Sequence, residues 1–141
     1  MSAAPDWAEA RSPSLTEIEA LANAAFDALP GTFRALCGEI VFRVEEFPDD
    51  ETLDAMGMKS EFDLMGLFRG SAVTLDPLTG QEPNAIHLYR RPMLDYWCER
   101  EETLGAVVAH VLVHEIGHHI GLSDADMEAI EASVPDVGGN G

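Results

Sequence analysis

Hydrophobic and polar positions alternate along this chain in two periods, and the switches between them predict the elements. Ser14-Leu15-Thr16-Glu17 has the form of a capping box, and Ile18, Leu21, Ala22, Ala25, Phe26 and Leu29 follow at helical spacing until Pro30-Gly31 ends the run. Phe33 to Cys37 adds a helical turn. Ile40 to Glu45 alternates with period two, placing Ile40, Phe42 and Val44 on one face of a strand that stops before Pro48. Asp49 to Ser60 is polar, is broken by Gly57, and reads mostly as a loop. Leu64 to Arg69 suits a second strand bounded by Gly70. Asp76-Pro77-Leu78-Thr79-Gly80 is turn chemistry. Ala85 to Arg90 reads as a third strand, with Ile86 and Leu88 on one side and His87 and Tyr89 on the other. Pro92 stops it, and a short helix follows over Met93 to Arg100.

The next segment, about Glu102 to Gly121, is predicted to be a long helix. From Leu104 to Ile120 its only polar side chains are His110, His114, Glu115, His118 and His119. A helix this apolar is buried, and an unpaired carboxylate inside it costs several kcal/mol unless something satisfies it. A last helix over Ser123 to Ser133 packs through Met127 and Ile130. The order predicts a small α+β domain: an N-terminal helix, a short mixed sheet of about three strands, a buried central helix and a C-terminal helix. Its expected span is 14–134, between flexible tails over 1–13 and 135–141.

Composition narrows the function. The chain has 141 residues, 46% of them hydrophobic, enough for one real core. Its 26 acidic residues outnumber 8 basic ones, for a net charge of −18, and Lys59 is the only lysine. Such a surface repels phosphate backbones and anionic lipid, so neither nucleic acid nor a membrane is expected as a partner. Cys37 and Cys98 lie far apart, in no metal or redox spacing, and read as reduced or buried. Met1 to Ser14 lacks the apolar core of a secretory signal, and no run reaches the ~20 apolar residues of a membrane span. A cytoplasmic, soluble protein is the expectation.

The chemistry concentrates in the buried helix. His114, Glu115 and His118 form H-E-x-x-H. At about 100° per residue the two histidines lie about 40° apart and one turn apart in height, fit to grip one ion. Glu115 projects beside them, where a general base for an activated water belongs. A catalytic zinc site normally takes a third protein ligand. Gly121 tolerates a left-handed turn that sends the chain back, so Asp124, six residues after His118, is the expected third ligand. The competing view makes Asp124 a first-turn acid favoured by the helix dipole, with Ser123 as cap. Asp126 and Glu128 are weaker substitutes as ligand. His110 shares the face of His114 but lies ~12 Å of helix rise from His118. It is therefore set aside from their ion and read as a supporting or buried histidine. His119 points elsewhere and reads as a core or surface histidine. His87 has no partner visible in the sequence.

The run His114-Glu115-Ile116-Gly117-His118-His119-Ile120-Gly121-Leu122-Ser123-Asp124 resembles the active-site hallmark of the bacterial zincin-like metallopeptidase family, the minimal-metalloprotease type. Gly66-Leu67-Phe68-Arg69-Gly70 and Ile86 to Pro92 extend the resemblance over roughly 33–130. It implies a zincin-like fold, one zinc ion held by His114, His118 and Asp124, and Glu115 as catalytic base acting on a peptide or protein substrate. Met127 follows Asp124 too closely to be the separate methionine turn of metzincins. The resemblance also suggests Leu64 to Gly70 as an edge strand for an extended substrate, with an ordinary edge strand as the equal alternative. Tyr89, Arg90, Arg91 and Tyr96 carry donors able to stabilise an oxyanion, but the sequence does not choose among them and they stay outside the catalytic set. The alternative is a non-catalytic zincin-fold binding module whose metal site is structural or vestigial. A further alternative is hydrolysis of a non-peptide amide.

Overall fold

The computed structural model describes residues 6–70 and 84–133, and the structural statements below concern these. The turn expected at Asp76 to Gly80 and the tail at 135–141 lie outside them. Six helices and three strands follow in the order α1 (Leu15–Ala28), α2 (Gly31–Cys37), β1 (Ile40–Glu45), α3 (Asp50–Met56), β2 (Gly66–Arg69), β3 (Asn84–Tyr89), α4 (Arg90–Cys98), α5 (Leu104–Ile120) and α6 (Asp124–Ser133). The fold is α+β, as the pattern predicts.

Local chemistry explains most of the boundaries. The Ser14 hydroxyl accepts from Glu17 N–H while the Glu17 carboxylate accepts from Ser14 N–H, both at 3.1 Å, so α1 opens with a complete capping box. The segment expected as a loop after Asp49 contains α3. Asp49 accepts from Thr52 N–H at 2.7 Å, Asp50 and Glu51 sit in the first turn, and Gly57 ends the helix at φ +67°. Cap, dipole and left-handed stop together outweigh the weak hydrophobic signal that suggested a loop. The helix expected at Met93 starts earlier, at Arg90. Pro92 falls in its first turn, where a missing N–H costs nothing.

The strands form one sheet in the order β1-β3-β2, with β1 parallel and β2 antiparallel to β3. Alternation sends Ile86 and Leu88 to one face and His87 and Tyr89 to the other. Helices α1 and α5 cover the first face. There Ile18, Ala22 and Ala25 of α1 meet Val107, Val108, Val111, Leu112 and Ile116 of α5 in the main cluster, which Met93 and Met127 join. On the opposite face Arg69 donates to Thr52 Oγ1 at 2.6 Å, and its charge lies near the Tyr89 hydroxyl. His87, for which the sequence offers no partner, pairs through Nδ1 with Glu45 Oε1 at 3.2 Å. Arg90 ties the chain ahead of α1, through the Pro13 carbonyl and the Ser12 hydroxyl, to the end of β1, where it donates to Glu46. Cys37 is buried and its thiol is pushed up to about 11, whereas Cys98 is exposed; neither forms a disulfide. No described helix is long and apolar enough to cross a membrane.

Gly66 lets α5 lie tight against β2. A Cβ there would stand 2.7 Å from Val111 Cγ1 and 3.3 Å from the His87 carbonyl oxygen. Gly66→Ala is therefore expected to cost about 1–3 kcal/mol of stability through overpacking. Urea denaturation reads this as a lower midpoint, and an unchanged midpoint would show that the seam has slack.

Candidate metal centre

Helix α5 begins at Thr103, whose hydroxyl accepts from Ala106 N–H, and ends at Gly121 in the left-handed region at φ +82°. Gly121 N–H and Leu122 N–H return to the carbonyls of the last turn, the latter to Gly117 at 2.8 Å. That stop turns the chain back, as the sequence predicts. Ser123 then caps α6 by accepting from Asp126 N–H at 3.1 Å while Asp126 accepts from Ser123 N–H. Gly117 fixes how closely the two helices meet, because a Cβ there would collide with Met127 Sδ and Cγ. Met127 is fully buried on this spot. Glu131, one turn further along α6 on the same face, is thereby delivered beside the histidines of α5.

Two seams result, one on each side of the polar stripe. Along the α6 seam, Glu131 Oε1 lies 2.6 Å from His110 Nδ1 and Oε2 lies 3.5 Å from His114 Nε2. The His110 and His114 rings are 4.1 Å apart. Along the β2 seam, the Phe68 backbone amide lies near the Glu115 carboxylate, and the Phe68 ring stacks on His119 at 3.9 Å and 20°. His118 lies between the seams, its ring edge-on to His114 with centroids 5.8 Å apart.

The structure thus places the expected residues in two groups. His114, Glu115 and His118 share one side of α5 as the spacing requires. Asp124 is the first residue of α6 and exposed. Among the described residues, the three donors whose ligand atoms all lie within 4.8 Å of one another are His110, His114 and Glu131, and this group could hold a metal ion. His118 and Asp124 fall outside it. Of the weaker substitutes, Asp126 is engaged in the α6 cap and Glu128 is exposed. The sequence reading missed Glu131. The signal available was its spacing of four from Met127, already marked as a packing residue. His119, read as a core or surface histidine, is exposed and stacks on Phe68 of β2.

Burial raises the Glu115 carboxyl above the ordinary glutamate range, against the opposing pull of the Phe68 N–H and then of His118. Of the four oxyanion candidates, Tyr89 faces away from α5, with its hydroxyl near the charge of Arg69. Arg90 holds Pro13 and Glu46, Arg91 lies over the Phe47 ring, and Tyr96 carries Arg100 at 3.6 Å.

The sequence matches the model of the zincin-like metallopeptidase family over residues 37–134. The chain belongs to that family. The match starts at the last residue of α2 and takes in the sheet, the motif helix and α6. No curated protein matches the sequence. Imidazole nitrogens with a carboxylate are a donor set that suits zinc, so the residues at the α5–α6 junction fit the metal that a zincin-like family implies.

The raised carboxyl has a consequence for stability. A folded-state value above the unfolded one contributes stability that is present below the unfolded value and lost as pH rises through the folded value. In metal-free protein, Glu115→Gln should therefore melt higher than wild type at neutral pH, with the gap closing below the ordinary glutamate range. Melting curves across pH check this; a gap that does not change with pH would contradict the assigned cause.

Proposed function

We propose that this protein is a zinc-dependent metallopeptidase in which Glu115 is the general base. One observation carries the reading: the Glu115 carboxylate sits half-buried at the seam between the motif helix and strand β2, near His118 and the Phe68 backbone amide. Its raised pKa brings it closer to the working range of a base. His114 and His118 would hold the zinc, with Asp124 as the carboxylate ligand that the family resemblance suggests. Zinc, when bound, supplies a Lewis acid and a water acidified towards ~7.

The chain's own residues then divide the work. Glu115 accepts a proton from the attacking water and returns it to the amide nitrogen as the C–N bond breaks. The Phe68 backbone amide favours the charged carboxylate, and the Phe68–His119 stack holds β2 against the end of α5. Phe68 N–H points away from β3, so by alternation Gly66 also presents its backbone groups outward. That edge is where an extended peptide would pair. A peptide or protein is the proposed substrate, and the net charge of −18 favours basic over acidic segments.

Glu115→Ala separates this reading from a non-catalytic binding module. Hydrolysis of a mixed fluorogenic peptide pool should fall by ~10²–10⁴-fold while zinc content is retained. Full activity in the zinc-loaded variant would remove Glu115 from the mechanism. Wild-type protein that binds zinc and cleaves nothing would favour the binding module.

A further inference from the structure

The three-donor group on the α6 seam is not the set that H-E-x-x-H supplies. His110 lies eight residues before His118, ~12 Å along the helix, so no single ion touches both. His114 belongs to each set. Its Nε2 faces Glu131 Oε2 at 3.5 Å, a separation that two ligands of one zinc ion could keep given Zn–N and Zn–O bonds of about 2 Å. His110 Nδ1 completes the group from the same stripe, and its side chain is 40% exposed, against 26% for His114 and 24% for Glu131. The group is built rather than incidental: Gly117 admits Met127, Met127 is fully buried, and Glu131 follows on the same face of α6.

Resting on the zinc-hydrolase reading above, we propose that His110, His114 and Glu131 form a second metal position, which competes with the H-E-x-x-H position for His114. The ligand is a divalent cation of zinc's class, held by two imidazoles and one carboxylate. A neutral imidazole has one nitrogen lone pair to offer. An ion on the His110 side therefore takes His114 away from His118, and wild-type protein saturates through His114 at one ion. The two positions also differ in chemistry. Around the helix Glu115 projects about 140° from His110 and about 60° from His118, so it flanks the His118 side and the His110 side has no general base of its own. Metal held there is bound but unproductive.

Zinc titration in competition with a chromophoric chelator tests this on wild type, His118→Ala, Glu131→Gln, His110→Gln, and His118→Ala combined with each of the last two. His118 is exposed, so its truncation leaves the core intact, and melting curves confirm that each variant is folded. The expected result is that His118→Ala still binds one zinc. That binding should then fall by more than ~100-fold on adding either Glu131→Gln or His110→Gln, beyond what an outer-shell partner accounts for. A smaller loss, or a His118→Ala protein that binds no zinc while wild type binds one, overturns the second position and leaves the H-E-x-x-H reading standing. Zinc binding lost in Glu131→Gln alone and unaffected by His118→Ala supports the His110 position and overturns the H-E-x-x-H one. A wild-type protein that binds no zinc overturns both.

Discussion

Everything about this site follows from a single constraint on α5: it is the core helix of a small domain and must also carry four imidazoles and a carboxylate. The sheet and α1 take its apolar side, where Val107, Val108, Leu112 and Ile116 are fully buried. The polar stripe can surface only where that cover ends. It does so in the gap between the edge of β2 and the returning α6. Two close approaches set the width of the gap, Gly66 against Val111 on one side and Gly117 against Met127 on the other. Side chains larger than hydrogen at either glycine would push the walls apart.

The two walls do different jobs. The β2 wall brings the Phe68 backbone amide near Glu115 and an aromatic face to His119, so it sets the surroundings of that carboxylate. The α6 wall offers the Glu131 carboxylate to His110 and His114, so it governs the imidazoles. His118 stands between, about 40° from His114 and about 60° from Glu115 around the helix. Such a division lets one 17-residue helix present imidazoles to one wall and a carboxylate to the other.

Much of this was legible because it is local. The Ser14 capping box, the apolar run of α5, the stop at Gly121 and the H-E-x-x-H spacing are all fixed by residues within a turn or two of each other. Helix α3 is equally local, but its cues are caps rather than periodicity, and a short polar helix has little hydrophobic pattern to show. Pro92 was read as a terminator when it is also tolerated in a first helical turn. The partners of His87, His110 and His119 are tertiary. Glu45, Glu131 and Phe68 reach them across the sheet, across the α5–α6 turn and across the β2 seam, and no spacing along the chain encodes those meetings by itself. Glu131 came nearest to being readable, through Met127 one turn before it.

The central claim is that the α5–α6 junction is a zinc site made of imidazole and carboxylate. X-ray absorption at the zinc edge of the purified, zinc-loaded protein tests it most directly. The account predicts one zinc per chain with nitrogen and oxygen neighbours at about 2.0–2.2 Å, an outer-shell imidazole signature and no sulfur. A sulfur shell at about 2.3 Å, which would bring in Cys37 or Cys98, or protein that retains no zinc, would contradict it.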